Sequence, residues 1–312
     1  MVDLKTNSMD RRKFIKQTSA AASIVGLGGL TLPSFTPKKK KHITILHTND
    51  THSHIEPFEA DHYRFANKGG VARRATLVNN IRLENPNTLL LDAGDIFQGT
   101  PYFNYFGGEL EFKLMSMLKY DLATLGNHDF DNSIDGFYKQ LPKANFNFVS
   151  ANYDFSNTIL DEHVKPYQTF IKDGIKIGVF GLGIKLQGLV DPKMYKETRY
   201  LDPLEISQDM SRILKEDEQC DLIICLSHLG YYYKNNPQKV SDLVIAKASK
   251  NIDLIIGGHT HTFLPKPTLV KNSEDQQVLV NQVGCFGINV GRVDFYFDED
   301  NGKISQGKTI LV

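Results

Sequence analysis

The chain lacks an excess of charge of either sign, has no tryptophan, and contains only three cysteines. Its 36 Lys and Arg residues balance 36 Asp and Glu residues, so the formal net charge is zero. Nucleic-acid-binding proteins usually carry a basic excess, so this balance argues against a nucleic-acid polymer as partner. Cys220, Cys225 and Cys285 form no C-x-x-C pair, and an odd number cannot all pair internally. These absences argue against a disulfide scaffold and favour cysteines buried as small apolar side chains.

The N-terminal residues differ in composition from the rest of the chain. Two arginines and a Phe-Ile pair within residues 10–16 precede an apolar, small-residue run from Ala20 to about Leu32. This order is similar to a bacterial twin-arginine export signal, and the run is too short and glycine-rich to predict a membrane span. The alternative is an ordinary amphipathic N-terminal helix. We predict an export signal at residues 1–33, a basic linker at 34–41 and one large domain at 42–312.

The predicted export signal has consequences for location. We expect a protein exported across the bacterial inner membrane to the periplasm, which meets the membrane only through the signal segment. No Ala-x-Ala cleavage site is evident, so cleavage and retention as an anchor both stay open.

Residues 42–312 alternate between apolar runs typical of strands and segments with helical spacing, which predicts an α/β domain. The predicted helices are Val71–Leu83, Glu109–Leu118, Pro203–Lys215 and Val240–Ser249. The predicted strands are His42–His47, Thr88–Leu91, Asp121–Leu125, Phe148–Ala151, Ile175–Phe180, Asp221–Leu226, Leu254–Ile256, Val278–Val283, Ile288–Phe297 and Thr309–Val312.

Polar clusters follow several of these strands, mostly after a glycine-containing turn. Carboxyl ends of parallel strands meet at one edge of an α/β sheet, and glycine lets the backbone turn sharply there. Imidazole, carboxylate and amide oxygen are ligands that borderline metals accept. Seven such side chains are too many for one tetrahedral ion and suit a two-metal centre. The candidate ligands are Asp50, His52, Asp95, Asn127, His228, His259 and His261.

Each cluster taken alone has a less specific interpretation. Asp50 and His52, two residues apart, are more often a surface pair, and His259 with His261 could form a buried structural pair. Asn127 next to His128 after a glycine is not explained by core packing. Taken together and in this order, the clusters favour the metal centre over these structural interpretations.

Six segments resemble the motifs of the calcineurin-like metallophosphoesterase superfamily, and more narrowly those of one of its families. They are residues 45–54, 69–73, 89–95, 126–131, 226–230 and 257–261. The narrower resemblance is to the N-terminal catalytic domain of the 5′-nucleotidase family, which includes UDP-sugar hydrolases and 2′,3′-cyclic-nucleotide phosphodiesterases. It extends from about residue 42 to 300. The resemblance implies a four-layer α/β/β/α sandwich of two mixed sheets, the metallo-dependent phosphatase fold.

The resemblance also implies a role for each ligand. The first metal would be bound by Asp50, His52 and His261, the second by Asn127, His228 and His259, and Asp95 would bridge the two. The ions would be two divalent metals, and Zn, Mn, Fe and Co all stay open because mixed nitrogen and oxygen ligation permits each of them.

The implied reaction is attack on phosphorus by a metal-bound hydroxide. His128 would assist catalysis, and Asp131 would hold its ring in the productive tautomer. Substrate would contact Asn127, His128 and, as a weaker candidate, Arg73. Asp92 is expected to support the ligands without binding metal, and neither His47 nor His54 is expected to be a ligand.

Many relatives continue into a second domain that binds the substrate's base, and this chain is expected to lack it. A separate polypeptide could supply that domain, the chain could act alone on small phosphoesters, or it could bind metal without turnover. Retention of His128 and Asp131 favours catalysis. We predict hydrolysis of phosphomonoesters, chiefly nucleotides, with cyclic-nucleotide phosphodiesterase or sulfur-ester hydrolase activity as minor alternatives. The aromatic residues after Asp95, up to Tyr105, are expected in the core.

Overall fold

The computed structural model describes residues 40–298 and 302–312. The export signal predicted at 1–33, and all but the end of the predicted linker, lie outside the described residues. Lys41, which the sequence pattern assigned to the linker, is already the first residue of a strand. In the part of the chain that the structure describes, no helix is both long and apolar enough to cross a membrane.

Short helices and strands alternate along the described residues, as the sequence pattern predicts. The helices are α1 (Val71–Glu84), α2 (Pro101–Phe106), α3 (Glu109–Met117), α4 (Ser133–Gln140), α5 (Pro192–Tyr195), α6 (Pro203–Arg212) and α7 (Asp242–Ala248). The strands are β1 (Lys41–Thr48), β2 (Thr88–Asp92), β3 (Leu122–Ala123), β4 (Asn147–Val149), β5 (Tyr153–Asp154), β6 (Val164–Lys165), β7 (Tyr167–Lys172), β8 (Ile175–Leu182), β9 (Arg199–Tyr200), β10 (Leu222–Ser227), β11 (Leu254–Gly257), β12 (Thr268–Lys271), β13 (Gln277–Asn281), β14 (Asn289–Asp298) and β15 (Gly302–Leu311).

Two mixed sheets form the centre of the domain. The first has seven strands in the order β15-β14-β1-β2-β3-β4-β6, and the second has six in the order β12-β13-β11-β10-β8-β7. In the first sheet β1, β2, β3, β4 and β6 run parallel, β14 pairs antiparallel with β1, and β15 pairs antiparallel with β14. In the second sheet β8, β10, β11 and β13 run parallel. The predicted pair of mixed sheets is confirmed.

Three hydrophobic clusters show that each sheet is covered on both faces. In β2, Leu89 and Leu91 face the second sheet while Leu90 packs among residues of the helices that follow. In β10, Ile224 faces the first sheet while Cys225 packs with residues of α7. This alternation gives helix, sheet, sheet and helix layers, so the predicted four-layer sandwich is confirmed. The three cysteines are free and buried, as expected.

The structure contains elements that the sequence pattern did not predict, among them α4, β7 and β12, and it also extends a strand at an exposed edge. β15 starts at Gly302 instead of Thr309 because it pairs with β14 along ten register positions, although most of its own residues are exposed. Sequence alternation does not reveal a strand that its neighbour holds in place. Tyr105 was expected in the core, and this is wrong: its side chain is 84% exposed. Only Phe103 of the short helix α2 is buried, so the rest of that helix faces solvent.

The parallel strands of both sheets end at one edge of the sandwich. Thr48 at the end of β1 pairs with Asp92 at the end of β2, and Ser227 at the end of β10 pairs with Gly257 at the end of β11. The loops that follow these four strands carry candidate ligands. This register is what places side chains distant in sequence next to one another.

Candidate metal centre

Most of the candidate ligands have left-handed backbone conformations. The φ angles are 50° at Asp50, 47° at His52, 55° at Asp95, 70° at His259 and 49° at His261. A residue with a Cβ atom is strained in this region, by roughly 1–3 kcal/mol where the surrounding structure imposes it. The strands end in sharp turns here, and these turns aim the side chains back over the sheet edge.

Two glycines are required by close packing at the same edge. A Cβ atom on Gly126 would lie 2.2 Å from Asp95 Oδ1 and 2.6 Å from His228 Cε1. A Cβ atom on Gly258 would lie 2.7 Å from His228 Nδ1. Any side chain at either position would displace a candidate ligand, so these glycines hold open the space in which the ligands converge.

The first ligand group consists of Asp50, His52 and His261, whose ligand atoms all lie within 4.8 Å of one another. Nε2 of His52 is 3.0 Å from Nε2 of His261, which is 3.3 Å from Oδ1 of Asp50. Asp50 is held from behind, because the backbone N–H of His259 and the side-chain amide of Asn49 both donate to its carboxylate. The structure therefore brings together the three residues predicted for the first metal.

The second ligand group consists of Asp95, His228 and His259, again within 4.8 Å of one another. Oδ2 of Asp95 is 3.0 Å from Nε2 of His228. Oδ1 of Asn127 lies 2.8 Å from Nδ1 of His259, so the amide predicted as a ligand also lies beside this group. Oδ2 of Asp95 is 3.8 Å from Nε2 of His52 as well, which puts this carboxylate between the two groups. That position suits a bridging ligand, and the bridging role stays a prediction.

His228 shows that the cluster suits a cation. Its Nδ1 lies 2.7 Å from the carbonyl oxygen of Ala93, which assigns the proton of the neutral ring to that nitrogen and leaves Nε2 to take a cation, either a proton or a metal ion. Nε2 is fully buried and lies 3.0 Å from Oδ2 of Asp95. Burial alone would lower the pKa of His228, but the charges of Asp95 and Asp50 outweigh it and raise the pKa to about 10. The surroundings therefore stabilise a positive charge at this nitrogen.

The pKa values of the histidines beside His228 shift in the opposite direction. Burial lowers the pKa of His259 to about 4, helped by the positive charge on His228, and burial also lowers the pKa of His52. Both rings are therefore neutral at neutral pH, which is the form that binds metal. Imidazole and carboxylate donors with buried lone pairs fit two divalent ions of the borderline type.

His128 and Asp131 form a hydrogen-bonded pair beside the ligand groups. Nδ1 of His128 is 2.7 Å from Oδ2 of Asp131, and this hydrogen bond is the main cause of the raised pKa of His128. The backbone N–H of His128 donates to Oδ1 of Asp95 at 2.7 Å, and its ring lies 5.3 Å from the ring of His52. The predicted dyad is therefore adjacent to the centre, on a 3-10 turn that begins at His128.

Sequence reasoning missed Asp129, which lies between the two residues of the dyad and is fully buried. Its carboxylate accepts backbone hydrogen bonds from Gly126, Asp95, Ile96 and Phe97, at 2.8 to 3.2 Å. One side chain thus ties the loop after β2 to the loop after β3. Burial, followed by the charge of Asp95, raises the pKa of Asp129 to about 7. The only sequence signal was its place in the motif at residues 126–131.

The remaining candidates lie where the structure gives them other partners. Asp92 accepts hydrogen bonds from Thr48 and from the backbone of Gly94 and belongs to neither ligand group. His47 is buried and pairs with Asn281, and His54 packs against aromatic rings. Arg73 is exposed and donates to the carbonyl oxygen of Asn67, so its role in substrate binding stays a prediction.

Comparison with known proteins gives consistent matches. The profile of the calcineurin-like phosphoesterase family matches residues 43–263. The chain is 36% identical over 292 residues to the snake venom 5′-nucleotidase of Crotalus adamanteus, which covers 86% of this chain and 48% of that protein. It is 35% identical over 301 residues to the trifunctional nucleotide phosphoesterase protein YfkN of Bacillus subtilis, which covers 86% of this chain and 19% of that protein.

Among solved structures, the 5′-nucleotidase precursor from Thermus thermophilus matches with a TM-score of 0.77 at 34% identity, over 87% of this chain and 55% of that one. The chain spans between about a fifth and about half of the length of the curated relatives named above. The match to the family profile includes every strand end that carries a ligand, up to His261. The chain belongs to the calcineurin-like phosphoesterase family, and it is homologous to the N-terminal catalytic domain of 5′-nucleotidases.

Proposed function

We propose that this chain hydrolyses phosphomonoesters, with nucleoside 5′-monophosphates as substrates, and that it uses two divalent metal ions. The observation that carries the proposal is the meeting of two Asp and His ligand groups at one sheet edge, beside the pair formed by His128 and Asp131. The relatives named 5′-nucleotidase support the choice of substrate. Asp50, His52 and His261 would hold one ion and Asn127, His228 and His259 the other, with Asp95 between them.

Two bound divalent ions supply positive charge for the phosphate oxygens and lower the pKa of water at the site. The protein's contribution is to hold the ligands in place before substrate arrives. Asp129 joins the two loops that carry Asp95 and Asn127, and Asn49 orients Asp50. Preorganised charges and dipoles of this kind stabilise a transition state without reorganisation during the reaction.

His128 is the residue proposed to handle a proton. Its side chain is 38% exposed. Because Nδ1 is hydrogen-bonded to Asp131, Nε2 is the ring nitrogen available to substrate. The raised pKa favours the protonated ring near neutral pH. A protonated ring can donate to the leaving oxygen or stabilise charge on the phosphoryl group.

The proposal is tested by phosphate release from purified, metal-reconstituted protein, with and without a chelator. The substrates are an aryl phosphate, an aryl phosphodiester, AMP, UDP-glucose and a cyclic nucleotide. We expect chelator-sensitive release from AMP. Release from aryl esters alone would place nucleotide specificity on a separate substrate domain, and no release with two metals bound would contradict the proposal in favour of a metal-binding or partner-dependent subunit.

Export to the periplasm stays a prediction for residues 1–33, and it is tested separately. Replacing Arg11 and Arg12 with lysine should leave the protein in the cytoplasmic fraction if a twin-arginine signal directs it. Unchanged fractionation would contradict that prediction without affecting the proposed catalysis.

A further inference from the structure

A chain of aromatic rings leads from the metal centre to the protein surface. The ring of Phe286 lies 5.9 Å from the rings of both His52 and His261. It also lies 4.3 Å from the ring of His54 and 5.8 Å from that of Phe58. Two ring contacts therefore separate a candidate ligand, His52, from Phe58.

Beside these rings lies an open groove of about 330 Å³. It is lined by three rings and five polar residues, which are His54, Phe58 and His62 and Glu56, Glu59, Asp61, Thr100 and Tyr102. Volumes of roughly 300–1,000 Å³ with apolar rings and a few polar groups are typical of small-molecule sites. We name this feature the aromatic groove.

The backbone holds the groove in one arrangement. The N–H of Phe58 donates to the carbonyl oxygen of Lys68 at 2.9 Å, and the carbonyl oxygen of Phe58 accepts from Asn67. Nδ1 of His62 accepts the N–H of Phe65 at 2.9 Å, so the ring proton of neutral His62 is on Nε2. Because the rings are already positioned, a ligand that stacks on them loses little free energy to ordering the protein.

The chemistry of the groove selects an uncharged planar group. Aromatic faces stack with nucleobases, and each such contact contributes about 1–3 kcal/mol. The carboxylates of Glu56, Glu59 and Asp61 accept hydrogen bonds only and repel an anion. A phosphoester with its phosphoryl group at the candidate metal centre would therefore direct an uncharged ring, and not an anionic group, toward the groove.

We propose that the aromatic groove binds the nucleobase or aryl ring of the substrate and that Phe58 is a specificity-determining residue. The inference rests on the proposed function and assigns the planar ring of the leaving group to a surface of this domain. Sugar phosphates, which have no such ring, are poorer substrates. Within the residues the structure describes, the groove gives this domain a base-binding surface of its own.

The test compares AMP with ribose 5-phosphate, which has the same phosphorylated sugar without the base. The Phe58→Leu variant keeps an apolar side chain of similar volume and removes the ring. We expect its kcat/KM for AMP to fall about 10-fold, which corresponds to one base-stacking contact. We expect kcat/KM for ribose 5-phosphate to change less than about 2-fold, and Phe58→Tyr to restore AMP hydrolysis.

A matched control and a binding measurement separate the possible failures. Tyr105→Ala removes an exposed ring that does not line the groove, and the ratio of the two substrates should not change. Calorimetry with adenosine in chelator should show weaker binding to Phe58→Leu than to the wild type. Equal losses for both substrates, or equal adenosine binding by the two proteins, would overturn the inference. If the wild type hydrolyses neither substrate, the proposed function fails. Adenosine binding by the wild type and by Phe58→Leu then tests the groove by itself.

Discussion

The two ligand groups have the same pattern of burial and differ in how firmly a histidine of each is held. Each group has two buried members and one partly exposed histidine, which is His261 in the first group and His259 in the second. His228 is anchored by a 2.7 Å contact to the carbonyl oxygen of Ala93, while the corresponding contact from His52 to Phe97 is 3.3 Å. The second group is therefore more tightly oriented than the first.

This difference in orientation bears on how firmly each group would hold its metal ion. A tightly oriented site binds its ion firmly, because its ligands lose little freedom on binding. A site whose histidine is held less tightly exchanges its ion more readily. We therefore expect the second group to retain metal longer than the first when a chelator is added.

Removing the carboxylate between the groups should have the largest effect. We expect Asp95→Ala to lose both metals and to reduce phosphate release at least about 1,000-fold, since it removes a ligand from each ion. Metal content per chain, measured by mass spectrometry, checks this. Asp135→Ala, the same change at an exposed carboxylate, serves as the control. Loss of only one metal would contradict a bridging role for Asp95.

Removing one histidine from each group tests the contrast directly. In chelator, His228→Ala should lower the free energy of unfolding by about 3–5 kcal/mol, because it leaves the buried charge of Asp95 without its partner. His261→Ala should change it by less than about 0.5 kcal/mol, because its side chain is partly in solvent. Urea unfolding of the two variants gives both values. Equal losses would mean that the two groups are equally integrated into the fold.

Removing the ring of His128 should affect turnover and leave both metals bound. The expected loss in kcat is about 100- to 10,000-fold, the usual contribution of a positioned acid or base. Metal analysis and steady-state kinetics on the same preparation check the result. Unchanged turnover would exclude the proposed role of His128.

Changing the partner of His128 should have a smaller effect. Asp131→Asn keeps a hydrogen-bonding side chain but removes the charge that holds the protonated ring, so kcat should fall about 10-fold. A loss as large as that of His128→Ala would mean that Asp131 does more than orient the ring.

The pH dependence of stability should reveal a bound proton behind the second group. Asp242 is buried and accepts a hydrogen bond from Ser227, and burial raises its pKa from the ordinary 3.8 to about 8. The folded chain therefore keeps a proton that the unfolded chain loses, and the stability contributed by this group falls as pH rises from about 4 to about 8. Asp242→Asn should flatten that fall, by at most about 1.4 kcal/mol per pH unit. Parallel urea titrations of apoprotein at pH 5 and pH 8 measure it, and identical slopes in both proteins would contradict it.

The sheet architecture and the ligands were predictable because they depend on local patterns. Runs such as Leu89–Leu91 are buried on both faces, so hydrophobicity alone identifies them as strands of a covered sheet. The ligands follow strand ends directly, and parallel pairing then brings those ends together. Every predicted ligand lies at one edge for that reason.

The residues that hold the candidate ligands in place were not predictable, because their hydrogen bonds join segments distant in the chain. Asn49 accepts from the backbone of Val283, and Asp129 accepts from that of Asp95, and neither pairing leaves a periodic signal. The aromatic groove likewise comes from a loop whose conformation is set by backbone hydrogen bonds. An aspartate that binds backbone and an aspartate that binds metal look the same in sequence, since only the fold distinguishes them.

The left-handed backbone of the ligand residues sets a limit for protein engineering. Each of these residues is held in a conformation that costs roughly 1–3 kcal/mol, and glycine would relieve the strain at every one of them. A redesign procedure that scores stability alone would therefore favour glycine at His52, His259 and His261, where no buried carboxylate is removed from beside His228. Substitutions chosen only to raise the stability of this fold would therefore remove candidate metal ligands. Any design library for this chain has to keep these positions unchanged.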